Sequence, residues 1–126
     1  MRIAFTGHRD QVCEPNDLVQ LLREFPTALW ITGGAEGFDN QVEEFCTTHG
    51  IANEVILPDY DRYGRSAPLK RNIQIIKLAN LLIACYDGRT TGGTVFTMHK
   101  AKAKAKAIPV RIFHPAQSRQ LAGTPR

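Results

Sequence analysis

The chain has no long apolar run. Its longest hydrophobic stretches reach five to seven residues, far short of the roughly 20 that a membrane-spanning helix needs. Cysteine is scarce: Cys13, Cys46 and Cys85 make an odd count with no CxxC pair. That excludes a disulfide framework and points to reduced thiols, buried or half-buried, in a cytosolic protein. The four histidines do not cluster with the cysteines, so neither a zinc site nor another metal is expected. A GxxxxGK[ST] pattern is absent, which argues against a P-loop nucleotidase, and the missing GxGxxG argues against a dehydrogenase. No internal repeat occurs, and the Lys–Ala alternation near the end is the one low-complexity tract. Met1 leads straight into a strand-like run and not into a signal peptide, so the expected location is cytoplasmic.

What remains is an ordinary globular composition. At 126 residues one domain is expected, large enough to bury a core without staples. Hydrophobic residues make up 43% and charged residues 22%, which excludes disorder. The net charge is +4. The excess is local, concentrated in Lys100, Lys102, Lys104 and Lys106 and in Arg111, Arg119 and Arg126. Such a skew suits a nucleic acid or a small anionic ligand.

Periodicity organises the chain. Residues 2–6 read as a buried strand, and Pro15-Asn16-Asp17 opens a helix carrying Leu18, Leu21, Leu22 and Phe25, ended by Pro26. Residues 28–32 form a second strand, and Phe38, Val42, Phe45 and Cys46 a second helix, stopped near Gly50. Residues 52–57 make a third strand. The segment Asp59 to Pro68 shows no period and reads as a loop. A helix over 69–79, with Ile73, Ile76 and Leu78 or Ala79 inward, precedes a central strand at 80–85. A helix over 92–106 and a strand at 108–113 follow; Pro109 places that strand at an edge or at its own first residue. This alternation predicts an α/β three-layer sandwich, a mostly parallel sheet of about five strands with helices on both faces. The domain spans 1–113, and 114–126 is a polar, frayed tail.

Three glycine-rich turns each follow a short apolar run. They are Thr6-Gly7-His8-Arg9, Thr32-Gly33-Gly34-Ala35-Glu36-Gly37 and Gly88-Arg89-Thr90-Thr91-Gly92-Gly93-Thr94. Right-handed crossovers bring all strand C-termini to one edge, so the turns converge there. Glycine lets backbone N–H groups approach a ligand, and a helix beginning at the turn adds partial positive charge. The three together make an anion cradle, with phosphate as the natural occupant.

With Lys70-Arg71-Asn72 added, and with the second and third turns extended to Ile31–Asp39 and Asp87–Thr94, these motifs resemble the SLOG superfamily. Its DprA-like, LOG-like and YspA/YpsA-like members are Rossmannoid, and the YspA-like branch is the nearest in pattern. The resemblance covers about residues 2–113 and implies a Rossmann-like sheet that binds nucleotides or nucleotide-derived ligands. It places Thr6, Gly7 and Arg9 beneath the ligand, Gly33, Gly34 and Gly37 at its sugar-phosphate portion, and Arg71 on a phosphate. Gly92, Gly93 and Thr94 then offer donors at a helix start. LOG-like phosphoribohydrolases carry Pro-Gly-Gly-x-Gly-Thr-x-x-Glu. Here Gly93-Thr94 match the Gly-Thr pair, but Thr97 stands where the glutamate acts, and a hydroxyl is no carboxylate acid or base at neutral pH.

Each residue also has a plainer reading. Gly7, Gly33, Gly34, Gly37, Gly88, Gly92 and Gly93 serve any tight strand-to-helix turn, although the threonines beside them, Thr91 and Thr94 included, supply donors beyond what a turn needs. Arg9, Arg71 and Arg89 are either phosphate ligands or surface charges. His8 is a ligand contact, a catalytic group or a loop histidine. Asp39 holds a ribose hydroxyl or complements its helix dipole, and Asp87 either reaches the ligand or shapes a turn. Asn72 accompanies Arg71 in the motif. Tyr60, Tyr63 and Arg65 stack on a base or pack the loop. The lysines form stripes 100/104 and 102/106, a solvated face or a phosphate-backbone patch.

Three functions therefore stand. The first is binding of a nucleotide, nucleotide sugar or ADP-ribose-like ligand, with sensing as one use, without cofactor or metal and in a homo-oligomer. The second is a nucleoside-phosphate glycosidase using Glu36, Asp39 or Asp87. The third is a single-stranded DNA binder of DprA-like type.

Overall fold

A computed structural model describes residues 1–103 and 107–116. The strands are β1 (Arg2–Gly7), β2 (Leu29–Thr32), β3 (Asn53–Val55), β4 (Leu81–Cys85) and β5 (Val110–Phe113). The helices are α1 (Pro15–Glu24), α2 (Phe38–His49), the single-turn α3 (Tyr60–Tyr63), α4 (Ala67–Leu78) and α5 (Gly93–Ala103). All four strand pairings are parallel, in the order β3-β2-β1-β4-β5. Among the described residues no helix is long and apolar enough to cross a membrane.

The central strands β1 and β4 read as continuous apolar runs because both of their faces are covered. Side chains alternate between those faces. Ile3, Phe5, Trp30, Leu81, Ile83 and Cys85 pack with Leu18 and Leu21 of α1 and with Phe38, Val42 and Cys46 of α2. Ala4, Ile31 and Leu82 face the other way, toward Ile75 and Ile76 of α4 and Ala101 of α5. The chain thus winds outward from β1 on one face and then returns to build β4 and β5 on the other. The reversal falls between β1 and β4, where a doubly wound sheet opens a crevice at its C-terminal edge.

Several sequence expectations change. Residues 59–68 are not an unstructured loop. Asp59 caps α3, its Oδ1 accepting from the Arg62 amide at 3.1 Å, and a 3-10 turn at Gly64–Ser66 runs straight into α4. One-turn elements are too short to show a period. Helix α4 therefore begins at Ala67, with Pro68 in its first turn, a favoured place for proline. Its buried residues are Ala67, Arg71, Ile75 and Ile76, while Ile73 is only half-buried. Strand β3 is shorter than residues 52–57 and exposed along its length, as an edge strand is. Helix α5 starts one residue later than expected and is described to Ala103; Lys104 and Lys106, half of each lysine stripe, lie outside the described residues, as do 117–126. The chain does not fray at His114: Pro115 bridges to Cys13, and the Ala116 amide donates to the Val12 carbonyl at 2.8 Å. All three cysteines are buried free thiols.

One glycine sets how closely α2 approaches the sheet. A Cβ at Gly7 would lie 2.5 Å from Phe38 Cβ, a backbone-anchored atom that cannot swing aside. Gly7→Ala should therefore lower unfolding free energy by about 3 kcal/mol through overpacking. Urea denaturation checks this, and a loss under about 0.5 kcal/mol would show that α2 shifts without penalty.

Candidate functional site

The crevice between the β1 and β4 ends is a cleft of about 570 Å³. The turn after β1 contributes Thr6, Gly7, His8, Arg9 and Asp10, over Phe5. The turn after β2 contributes Gly33, Ala35 and Asp39, and the start of α4 contributes Pro68, Leu69, Arg71 and Asn72. The turn after β4 contributes Arg89, Gly92, Gly93 and Thr94. All three glycine turns thus meet around one cavity, with the first amides of the 11-residue helix α5 on its wall.

Arg71 is only 8% exposed, unusual for arginine. The cause is its register: it follows Ala67 by four residues and precedes Ile75 by four, on the inward stripe of α4. Its Nη1 donates to the Gly33 carbonyl, and its Nε donates to Asn72 Oδ1 at 2.7 Å. Among the described residues Nη2 has no protein partner. A Cβ at Gly33 would sit 2.6 Å from the guanidinium carbon, so glycine is what admits this contact.

Asp39 grips the same residue through its amide. Its Oδ2 accepts from the Gly33 amide at 3.1 Å and from the Ala35 amide at 3.2 Å. The Gly33 amide is therefore spent within the protein and does not cradle a ligand, contrary to the simple reading of the turn. Burial raises the Asp39 carboxyl to about 6, although both amides and the charge of Arg71 pull it down. Its Oδ1 has no hydrogen-bond partner among the described residues. Burial likewise lowers the Arg71 pKa against the pull of Asp39.

Of the residues singled out from sequence, Thr6, Gly7, His8, Arg9, Gly33, Asp39, Arg71, Asn72, Gly92, Gly93 and Thr94 line the cleft. Gly34, Gly37, Asp87, Gly88 and Thr91 do not. Gly34 faces Leu57 and Val55, with φ +74°, and Gly37 packs against the His8 and Arg9 carbonyls, where a Cβ would come within 2.5 Å of the Arg9 oxygen. Both serve close packing of the turns. Asp87 and Gly88 line a separate hollow with Gln11, Tyr86, Ile112, His114, Pro115 and Ala116. Thr91 is exposed. Thr97 is 2% exposed and donates to the Gly93 carbonyl at 2.8 Å, so it closes a helical turn and faces no ligand. Thr32 donates to Glu43 at 2.8 Å. Glu36 is exposed outside the cleft, and so are Tyr60, Tyr63 and Arg65; the Tyr63 ring lies under Arg62 and Lys70. Phe5, Asp10, Ala35, Pro68 and Leu69 are lining residues the sequence did not signal. Pro68 and Leu69 escaped notice because the start of α4 carries no periodic mark.

The first turn is held from two sides. Gln41 of α2 clamps Cys13, accepting from its amide at 2.9 Å and donating to its carbonyl at 2.8 Å. His8, 5% exposed, has Nε2 at 3.2 Å from Asp87 Oδ1. That is ion-pair range, but out of line for a hydrogen bond, so Nε2 remains buried without a hydrogen-bond partner. Burial and the Arg89 charge lower the His8 pKa, opposed by Asp87 and Asp10. Arg89 in turn pairs with Asp87 at 2.6 Å and reaches Asp10 at 3.5 Å. Its hydrogen bonds hold Asp87 well below the usual carboxylate range.

No family model, curated protein or solved structure matches the chain.

The raised Asp39 pKa has a stability consequence. The folded carboxyl holds its proton more tightly than the unfolded one, so its contribution is full below about pH 4 and is lost as pH rises through about 6. Asp39→Asn, which keeps an oxygen for the two amides, should be more stable than the parent at pH 7 by up to about 3 kcal/mol, with the difference vanishing near pH 4. Urea denaturation of both proteins from pH 4 to 8 checks it; a gap that does not grow with pH would refute it.

Proposed function

We propose that the cleft binds a nucleotide or nucleotide-derived ligand, with its phosphate against Arg71 and the start of α5. The buried guanidinium carries this reading. A cation is kept out of water at the strand-order reversal, its plane fixed by Gly33 and Asn72, with Nη2 free of acceptors among the described residues. A guanidinium so placed suits a phosphate oxygen. The amino end of α5 adds partial positive charge on the adjoining wall, and exposed Arg9 lines the same cavity. The likeness of the four motifs to the SLOG superfamily supports the same ligand class. The role is recognition, and sensing is its natural use.

One observation favours a second reading, hydrolysis of an N-glycosidic bond in a nucleoside phosphate. Of Glu36, Asp39 and Asp87, only Asp39 lines the cleft, and a carboxyl raised to about 6 can exchange protons near neutral pH. The departure at Thr97 weighs against it.

Calorimetric titration with nucleoside 5′-monophosphates, ADP-ribose and the matching nucleosides separates the readings when paired with chromatography for released base. Phosphorylated compounds should bind and nucleosides should not, and Arg71→Met should weaken binding by about 10- to 100-fold, the worth of a charge-assisted hydrogen bond. Equal binding of nucleosides and nucleotides would overturn the phosphate assignment. Free base that disappears in Asp39→Asn would establish the hydrolase instead.

A further inference from the structure

The cleft is not uniformly a donor surface. Arg71 Nη2, Arg9 and the first amides of α5 donate, but other lining groups offer lone pairs, among them Asp39 Oδ1, the exposed Asp10 carboxylate and His8. A ligand filling it must carry donors as well as phosphate oxygens. His8 is the informative one, because its surroundings decide which ring nitrogen holds the proton. A carboxylate oxygen at 3.2 Å from Nε2 repels a lone pair there and attracts an N–H. The neutral ring therefore keeps its proton on Nε2 and its lone pair on Nδ1. Nδ1 has no protein partner among the described residues, and His8 lines the cleft. The groups facing the ring are Asp87, Arg89, Asp10 and the Tyr86 ring, whose centroid lies 6.0 Å away. Burial and Arg89 keep the imidazole neutral at pH 7.

We propose that His8, oriented by Asp87, forms a hydroxyl-recognition subsite, its Nδ1 accepting from a sugar hydroxyl of a phosphorylated ligand. In a sugar phosphate the hydroxyls are the donors nearest the phosphate, whereas the donors of a base lie a full sugar away. The subsite rests on the nucleotide reading of the cleft and narrows it to ligands with an intact ribose-type hydroxyl. Asp87, outside the cleft, is a positioning residue: it sets the tautomer without reaching the ligand.

Calorimetry on the full chain tests this with ribose 5-phosphate against 2-deoxyribose 5-phosphate, and with adenosine 5′-monophosphate against its 2′-deoxy and 3′-deoxy forms. Loss of one hydroxyl should weaken binding about tenfold, since the ligand then covers the Nδ1 acceptor and leaves it unpaired. His8→Phe should bind both forms equally, and His8→Asn, whose side-chain oxygen stands near the Nδ1 position, should restore part of the preference. In the parent the preference should fall as acid protonates His8, because an imidazolium has no lone pair to offer. Where His8→Phe does not fold, Asp39→Asn decides: a preference that still falls with acid there belongs to His8, and one that becomes pH-independent belongs to Asp39 and overturns the proposal. Equal affinity for hydroxyl and deoxy forms in the parent, or a preference that survives His8→Phe, also overturns it while the phosphate site stands. Binding of none of these phosphates removes the nucleotide reading together with the subsite.

Discussion

The residue Gly33 is the point on which the rest of the site depends. Its carbonyl takes a hydrogen bond from Arg71, and its amide gives one to Asp39. Arg71 belongs to α4 and Asp39 to α2, helices on opposite faces of the sheet. The backbone of one residue just after β2 therefore ties the two helical layers together across the sheet edge. It also holds two opposite charges in a desolvated setting, each displaced from its ordinary pKa by burial. Buried charges are costly unless paired or hydrogen-bonded, and they concentrate where a protein does chemistry or recognition.

Around that residue the glycines divide into two kinds of work. Gly33 admits the Arg71 side chain, Gly7 admits Phe38, and Gly37 lets the second turn lie against the carbonyls of the first. These are packing roles, and they bring the turns close enough to enclose a shared cavity. Gly92 and Gly93 are different: no heavy atom lies within 4 Å of a Cβ at Gly92, and Asn72 stands 3.9 Å from one at Gly93. Both line the cleft at the start of α5, where open space is what a ligand needs. The anion cradle is thus asymmetric, with amides and space on the α5 side and a side-chain cation fixed by backbone on the α4 side.

The sheet was legible because interior parallel strands are apolar on both faces and their turns are marked by glycine. Hence 80–85 and 2–6 could be placed to within a residue or so. The region 59–68 was not legible, since a one-turn helix and a 3-10 turn bury too little to leave a period. Misplacing the start of α4 also hid Pro68 and Leu69 from the list of site residues; of the expected inward residues Ile76 and Ala79 are buried, whereas Ile73 is half-buried. Thr97 satisfies the Gly93 carbonyl inside α5, a contact that sequence reading did not anticipate.

The sequence alone determined the α/β architecture and the convergence of three glycine turns on one sheet edge, because period and turn chemistry are local properties. Only the tertiary structure decided which side chains share the cleft. It put Arg71 on the buried stripe of α4, turned the Gly33 amide inward to Asp39, moved Asp87 and Gly88 to a neighbouring hollow and set Asp87 against His8. Most of those outcomes turn on distances between residues tens of positions apart, as for Arg71 with Gly33 and His8 with Asp87, which no local pattern encodes.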